Sequence, residues 1–258
     1  MGAEIKTLEK EEGLDWTSTI VNNIGIETKV VSIPSCPWTN GEMIDLDIIG
    51  TKCRELGIIY IVDATQSLGA MSHSVDSIQA DFLISAGYKW LLCPYGFSIL
   101  YVNDKWFNAR PLEETWLGRE NAENFAGLVN YNDNYQNGAR KFEMGEKGMP
   151  TILPGAIAAL EQIKEWSIEN ISNSIGVINN ELSSFFLEAG FEPIKKDKRV
   201  PHILGIDLGT DITNYVGSLK EKNVYISQRG NSLRIAPHLH TTNDDIDILK
   251  YEFSKLKS

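Results

Sequence analysis

The stretch VDATQSLGAMSHSVDSIQADFLISAGYKWLLCPYGFSILYV, residues 62–102, decides the fold class of this chain. It contains two continuous apolar runs, at 81–86 and 97–102, and it begins inside a third run at 58–64. Short apolar runs bounded by glycine, proline or aspartate are typical of strands that are covered on both faces. We therefore predict that three neighbouring strands of one sheet lie here.

The segments on either side extend this pattern into an α/β fold. Upstream, KVVSIP at 29–34 predicts an earlier strand, and apolar residues recur at helical spacing in 44–56. Downstream, helical spacing recurs in 151–166 and 174–190. Strands that alternate with helices predict a mostly parallel sheet. The segment 105–150 reads as a long loop, and its aromatic residues favour packing or a binding site over disorder.

A second, smaller α/β domain is predicted at the C-terminal end. Its pattern is β-α-β-β-α, with members HILGIDL (202–208), DITNYVGSLKEKN (211–223), VYIS (224–227), SLRIA (232–236) and NDDIDILKYEFSKL (243–256). We place the boundary near residue 165, so that the large domain spans 1–165 and the small domain spans 166–258.

Composition and charge exclude several classes of partner. The net charge of −11 and the pI of about 4.9 argue against a surface for nucleic acid or anionic membranes. No apolar run is long enough for a membrane span, and the N-terminus lacks the pattern of a secretory signal. The three cysteines are too scattered for disulfides or a metal site, which favours a cytoplasmic location. His238 and His240 are interpreted as surface histidines rather than a metal pair.

Three polar side chains follow the ends of neighbouring predicted strands. Asp63 ends one strand, Gln66 lies just beyond it, and Lys89 follows the next strand. Ligands of open parallel sheets bind outside the carboxyl ends of the strands. A charge pair at the rim of the sheet would explain any single one of these residues. The combination of acid, amide and lysine instead matches what pyridoxal phosphate requires: an amine for its aldehyde and a carboxylate for its ring nitrogen.

The same stretch resembles the central segment of the class V aminotransferases. The family's Asp-x-x-Gln-x-x-Gly is present as Asp63, Gln66 and Gly69, and its Lys-Trp-Leu followed by Pro-x-Gly is present from Lys89 to Gly96. The resemblance continues through WTNGEMIDL, ETWLG, ARKFEMG and VYISQRGNSLRIAPHLHTTNDDID, so it covers essentially the whole chain. This family consists of fold type I pyridoxal phosphate enzymes and includes cysteine desulfurases and isopenicillin N epimerase-like proteins.

The resemblance implies a role for each matching residue. Lys89 would form the Schiff base with pyridoxal phosphate, Asp63 would hold the pyridine nitrogen, and Gln66 would contact the 3′ oxygen of the ring. Arg234 matches the arginine that binds the α-carboxylate of the substrate, with Arg229 as the alternative.

The resemblance also implies roles for three further side chains. Trp38 matches a position on the substrate side. Tyr88, directly before the lysine as in kynureninase-like members, would donate its hydroxyl to the cofactor phosphate. Ser85 is a second candidate phosphate contact, although it is displaced by one position.

Two departures from the family pattern affect cofactor binding. Where many members have Gly-Thr, with a hydroxyl that reaches the phosphate of a neighbouring subunit, this chain has Gly145 and Glu146, and a glutamate would repel that phosphate. The family's N-terminal arm, phosphate loop and ring-stacking aromatic would lie upstream of residue 1. We therefore expect an incomplete large domain, with apolar sheet surface exposed and a tendency to associate.

The resemblance implies an aminotransferase-like enzyme that acts on a small amino acid and forms a homodimer. Desulfuration is disfavoured because no cysteine follows Cys93. Two alternatives stay open: a kynureninase-like lyase, indicated by Tyr88, and a non-catalytic scaffold with a degenerate site. A nucleotide-binding Rossmann protein is excluded because the chain has no GxGxxG motif after a strand.

Overall fold

The computed structural model describes residues 2–208 and 213–255 of the chain. Its first half contains α1 (Trp16–Asn22), β1 (Val30–Pro34), α2 (Leu46–Glu55), β2 (Ile59–Asp63), α3 (Val75–Ile78), β3 (Phe82–Ala86) and β4 (Ser98–Val102). The predicted strands and the predicted helix at 44–56 are present within two residues of their expected ends. The short helices α1 and α3 were not predicted, because neither is long enough to show a clear helical period.

The first sheet has the strand order β1-β2-β3-β4, and the strands β1 to β3 are parallel. This confirms the predicted α/β fold with a mostly parallel sheet. The strand β4 runs antiparallel to β3, with Ile84 opposite Leu100. The reason is the short connection from Ala86 to Ser98, since a parallel pairing needs a longer crossover, usually a helix.

One face of this sheet forms a core, whereas the other face is only partly covered within the described residues: Val102 there is buried, but its neighbours are not. Val31, Tyr60, Val62 and Leu83 point into a core that α1 and α2 help to form. On the opposite face, which alternate residues of each strand form, Val30, Ile84 and Leu100 are 49%, 40% and 39% exposed. The prediction that these strands are covered on both faces was therefore wrong, whereas the predicted exposure of apolar sheet surface is confirmed.

The second half contains two long helices and a small sheet. Its elements are α4 (Leu153–Trp166), α5 (Ile168–Glu188), β5 (Glu192–Pro193), β6 (Leu204–Asp207), α6 (Thr213–Lys220), β7 (Ser227–Arg229), β8 (Ser232–Ile235) and α7 (Asn243–Ser254). The helix α5 begins six residues before its predicted start, because the Ser167 side chain accepts a hydrogen bond from the Asn170 backbone and caps it. The helices α4 and α5 are separated at Ser167. The domain boundary at residue 165 stays a prediction.

The small sheet is antiparallel, with the strand order β5-β6-β8-β7. The strand predicted at 224–227 was placed too early, because pairing with β8 across a two-residue turn places β7 at Ser227–Arg229. Leu233 and Ile235 of β8 point into a core with α5 and α7. Arg234 therefore points to the opposite face, towards the large domain. The helix predicted at 211–223 lies partly outside the described residues.

The long segment 105–150 contains no α-helix or β-strand among its described elements, only short 3₁₀ helices. These are Asp104–Trp106, Trp116–Gly118, Phe125–Gly127 and Gly138–Phe142. The prediction of a long loop is confirmed in outline. In the described part of the chain, no helix combines the length and apolar character that crossing a membrane requires.

Candidate active site

A cleft of about 660 Å³ opens between the end of the first sheet and the small second sheet. The residues that line it come from four places: the carboxyl ends of β1 and β2, the turn after β3, the loop after β1, and the hairpin β7–β8. They are Pro34, Cys36, Trp38, Asp63, Thr65, Gln66, Lys89, Trp90, Arg229, Arg234, Ala236 and His238. Five residues that the sequence predicts as site residues, together with Arg229, thus share one cleft.

Asp63 is the last residue of β2 and presents an exposed carboxylate to the cleft. Its Oδ1 accepts a hydrogen bond of 2.9 Å from the Thr65 backbone, an Asx-type turn that fixes the side chain as the strand ends. The chain then turns back through Ala64, whose carbonyl accepts from the amides of Ser67 and Leu68. The end of the strand therefore aims one carboxylate at the cleft and leaves oxygen lone pairs for a ligand.

Gln66 lies on this turn and is buried, with a side-chain Oε1 that has no hydrogen-bond partner in the described residues. Its backbone carbonyl accepts a hydrogen bond of 2.5 Å from His202 Nε2. Burial lowers the pKa of His202 to about 4, so this imidazole is neutral and acts as a donor. Buried polar groups are almost always paired, so an unpaired amide at a cleft wall indicates a position for a ligand.

Lys89 lies in the tight turn after β3 and is half-buried. Trp90 and Leu91 after it are buried, and the turn packs so closely on Gly69 that a Cβ there would lie 2.4 Å from the Trp90 carbonyl oxygen. The lysine ammonium lies 5.8 Å from the centre of the Tyr88 ring. It forms no hydrogen bond or ion pair with a described residue. The amine is therefore available to a molecule in the cleft.

Arg234 and Trp38 come to the cleft from two different segments, the strand β8 and the loop after β1. The close approach of the loop after β1 to the small sheet depends on Gly205 of β6, where a Cβ would lie 2.4 Å from the Asn40 carbonyl oxygen. This contact holds the loop after β1 against the same face of the small sheet that carries Arg234. Trp38 is half exposed, and the Arg229 guanidinium lies 5.4 Å from the centre of its ring.

Ser85 and Tyr88, the predicted phosphate contacts, are not among the residues that line the cleft. Ser85 is fully buried and its hydroxyl donates to the Ala86 carbonyl. Tyr88 is exposed and stacks on Tyr95 with 4.4 Å between the ring centres. Glu146 is also exposed and away from the cleft lining.

Sequence reasoning missed Cys36 and gave His238 the wrong environment. His238 is half-buried rather than a surface histidine: it lines the cleft and stacks on Trp90 with 5.5 Å between ring centres. Burial lowers its pKa. Burial also raises the pKa of Cys36 to about 12, so this thiol is protonated near neutral pH. Neither residue belongs to a motif, since both reach the cleft through tertiary contacts, although the Pro-His pair at the end of β8 is a weak signal.

The cleft is positively charged in an acidic protein. Lys89, Arg229 and Arg234 are cationic, and Asp63 is the one acid among the lining residues that the structure describes. Burial, followed by repulsion from Arg229, lowers the pKa of Arg234, but a guanidinium remains charged at physiological pH. The local excess of positive charge favours anionic ligands, although the whole chain carries −11.

Comparison with known proteins identifies the family of the chain. The family model of class V aminotransferases matches residues 1–244. The chain belongs to the class V aminotransferase family. The match includes the strand ends with Asp63 and Lys89 and the hairpin with Arg234.

Curated relatives within the class V family are distant but extend over most of this chain. It is 25% identical over 225 residues to the uncharacterised aminotransferase YcbU of Bacillus subtilis, and the match covers 87% of this chain and 58% of that protein. It is 25% identical over 240 residues to a kynureninase of Geobacillus thermodenitrificans, at 88% and 54% coverage. The chain therefore spans a little over half the length of these relatives.

Solved structures show that the class V chain shares its fold with larger proteins. An apo cysteine desulfurase from Thermococcus onnurineus matches with a TM-score of 0.77 at 19% identity, covering 97% of this chain and 65% of that one. A mutant of C-DES with glycine covalently linked to its pyridoxal phosphate cofactor matches with a TM-score of 0.79 at 18% identity, covering 93% and 64%. At these identities the similarity establishes the fold alone.

Proposed function

We propose that this protein acts on an amino acid as a pyridoxal phosphate enzyme, through the amine of Lys89, and that its reaction is transamination. The observation that carries the proposal is the convergence of Lys89, Asp63 and Gln66 on one cleft. Each presents the chemical group that the cofactor needs: an amine, a carboxylate, and a buried amide whose NH2 group can donate to the 3′ oxygen of the ring. Membership of the class V family supports the same cofactor.

The residues of the cleft fit the ring and the aldehyde of this cofactor better than they fit its phosphate. A buried unpaired amide, an available lysine amine and an exposed carboxylate match the ring and aldehyde of pyridoxal phosphate. For the phosphate, Tyr88 is the better candidate, because its hydroxyl belongs to an exposed ring beside Lys89, whereas the Ser85 hydroxyl is buried and already donates to a carbonyl. Both remain proposed contacts.

Each side chain would contribute a distinct step. When bound, the cofactor supplies an aldehyde that takes up amines and a ring that accepts electrons. Lys89 would provide the amine that holds the aldehyde, and its released Nζ could then carry a proton to or from the α-carbon of the substrate. Asp63 would keep the ring nitrogen protonated, and Gln66 would fix the tilt of the ring through its amide. Arg234 would bind the α-carboxylate with its planar guanidinium.

The cysteines provide no nucleophile for desulfuration in the described chain. Cys36, Cys53 and Cys93 are all free and buried. Burial raises the pKa of Cys36 to about 12 and that of Cys53 to about 11, so both are thiols rather than reactive thiolates. This favours transamination over desulfuration. Free, buried cysteines are also in keeping with a reducing compartment such as the cytoplasm.

A kynureninase-like lyase is the second candidate function. Its support is the similarity to kynureninases, such as the one from Bacillus anthracis at 26% identity over 193 residues, together with the position of Tyr88 beside Lys89. In that reaction water cleaves the substrate side chain, so the amino acid product keeps its amino group. A transaminase instead passes the amino group to an oxo acid.

The first test is whether the chain binds the cofactor covalently at Lys89. Purified chain is mixed with pyridoxal phosphate, its absorption spectrum is recorded, and borohydride reduction is followed by peptide mapping. We expect a new absorption band and a stable adduct on Lys89. Lys89→Ala should remove both, whereas Lys164→Ala, which removes an exposed lysine of α4, should change neither.

The outcomes separate the proposals. A band that persists in Lys89→Ala would remove this lysine from the site, and no band in the parent chain would favour the non-catalytic scaffold. Once the adduct is found, product analysis distinguishes the two reactions: a new oxo acid from the donor indicates transamination, whereas alanine released from kynurenine indicates the lyase.

A further inference from the structure

Arg229 and Arg234 reach the cleft from one face of the small sheet. Arg229 pairs with Ser232 across the hairpin, and Arg234 lies two residues beyond Ser232 on the same strand. Residues paired across strands share a face, and residues two apart on one strand share it too. The two arginines are therefore diagonal neighbours, with Cα atoms about 7–8 Å apart. Both line the cleft, so their guanidinium groups face the same ligand space.

Neither guanidinium has an anionic partner within the described residues. None of the ion pairs in that part of the chain involves Arg229 or Arg234. The Nε of Arg234 is buried without a hydrogen-bond partner, and Arg229 donates to the carbonyl of Gln228, at 3.3 Å. Arg234 is half-buried and Arg229 is exposed, so only Arg234 lacks full access to water. Two guanidinium groups without a carboxylate on one wall of a cleft still favour an anionic ligand there.

Trp38 holds the second arginine at the mouth of the cleft. The guanidinium of Arg229 lies over the Trp38 ring, 5.4 Å from its centre, and arginine stacks favourably on aromatic faces. Trp38 lies on the loop that the close contact at Gly205 presses against the small sheet. Arg229 is exposed, and the contact with the Trp38 ring is what places its guanidinium beside the cleft.

The charges of the cleft leave one cation unused by the proposed reaction. If Asp63 and Lys89 serve the cofactor and Tyr88 binds its phosphate, two guanidinium groups remain for the substrate, and an α-carboxylate neutralises only one. We propose that the substrate is a dicarboxylic amino acid, with Arg234 on its α-carboxylate and Arg229 on the carboxylate of its side chain. This inference rests on the proposed function for the position of the amino group, but the paired-arginine site itself can be tested without the cofactor.

The test uses the chain without pyridoxal phosphate and two pairs of matched ligands. Binding of glutarate is compared with that of pentanoate, and binding of succinate with that of butanoate, by calorimetry. We expect the better dicarboxylate to bind roughly tenfold more tightly than its monocarboxylate, since a charge-assisted contact is worth at least that factor. Arg229→Gln should remove this preference. Arg234→Gln should weaken both ligands.

A control variant separates the site from long-range charge. Lys222→Gln removes one positive charge from an exposed position of the same domain, outside the cleft, and should preserve the preference for the dicarboxylate. Arg229→Lys should recover only part of it, because an ammonium cannot form the bidentate contact of a guanidinium.

Three results would overturn the inference: equal binding of dicarboxylates and monocarboxylates, no binding of either, or a preference that survives in Arg229→Gln. A fourth result would also overturn it and would give Arg229 another role. If Arg229→Gln weakens binding of inorganic phosphate and pyridoxal phosphate but not of glutarate, Arg229 binds the cofactor phosphate. Failure of the proposed function gives a different result, because Lys89 would then remain unlabelled while the preference for the dicarboxylate persists.

Discussion

Lys89 shows how a lysine can follow a buried strand without being buried itself. The strand β3 ends at Ala86, and the chain turns within three residues to place the lysine side chain at the cleft while Trp90 and Leu91 pack inside. The turn is held by main-chain bonds, including one from the Cys93 amide to the Gly87 carbonyl. A rigid turn fixes the amine without a polar partner among the described residues, which leaves it available for covalent chemistry.

Asp63 gives the sharpest residue-scale prediction of the proposed chemistry. Asp63→Asn should keep the fold, because an amide oxygen can still accept from the Thr65 amide, and should keep bound cofactor. Turnover should fall on the order of 10²-fold or more, since an amide cannot hold the ring nitrogen in its protonated form. Absorbance and product formation are measured together, with the exposed Asp76→Asn as the control. Undiminished turnover would remove Asp63 from the mechanism.

His202 makes the stability of the fold depend on pH. Its pKa in the folded chain is about 4, below the ordinary 6.5, so the unfolded chain takes up a proton between these values while the folded chain does not. Stability is therefore lost as the pH falls through this window. From pH 7 to pH 5 the loss from this group is about 2 kcal/mol.

The variant His202→Gln tests this account because it keeps a donor for the Gln66 carbonyl and does not titrate. Urea unfolding at pH 7 and at pH 5 gives the loss of free energy for each protein. We expect the variant to lose about 2 kcal/mol less than the parent chain over this range. The same loss in both proteins would show that His202 is not the titrating group.

At the scale of elements, the contact between α2 and α3 reverses a general rule about helical glycines. Replacing a helical glycine by alanine usually stabilises by about 0.5–1 kcal/mol, because it restricts the unfolded chain. At Gly50 of α2, however, a Cβ would lie 1.9 Å from the Ile78 carbonyl oxygen at the end of α3. The packing of these helices under the sheet therefore depends on the absence of a side chain.

Gly50→Ala should destabilise the chain by about 2 kcal/mol or more, because the two helices must separate to admit the methyl group. Gly217 offers a matched control, since it lies inside α6 and a Cβ there meets nothing within 4 Å. Gly217→Ala should stabilise by about 0.5–1 kcal/mol. Urea unfolding measures the free energy of unfolding of both variants. If Gly50→Ala leaves this free energy unchanged or raises it, the packing described here is contradicted.

At the scale of the whole molecule, the open face of the first sheet should drive association. Val30, Ile84 and Leu100 lie on this face, each more than a third exposed, and contiguous apolar surface of this kind favours self-association. We expect the chain to associate with rising concentration in light-scattering measurements. The homodimer proposed from the family resemblance would be one form of that association.

Charged substitutions on this face test its role. Val30→Lys combined with Leu100→Lys should shift the chain towards the monomer, because burying two ammonium groups in a contact is costly. Val177→Lys changes another exposed apolar residue, on α5, and should leave association unchanged. A clean monomer of the parent chain at high concentration would contradict the expectation.

The amino-acid sequence by itself determined the elements and the ends of the strands. Continuous apolar runs located β1 to β4, because such short runs favour strands. The carboxyl ends of these strands also indicated Asp63, Gln66 and Lys89 as candidate site residues, since ligands of parallel sheets bind there. Short elements such as α1 and β5 were not predicted, because their stability comes from packing rather than from a local sequence pattern.

Only the tertiary structure decided which side chains share the cleft and which face of the sheet is covered. Whether Tyr88 or Ser85 lies near the cleft depends on the turn after β3, and whether Arg229 joins Arg234 depends on the register of one hairpin. Cys36 and His238 line the cleft through contacts between residues more than a hundred positions apart. A sequence pattern records the faces of single elements, whereas the environment of a side chain depends on how those elements pack against each other.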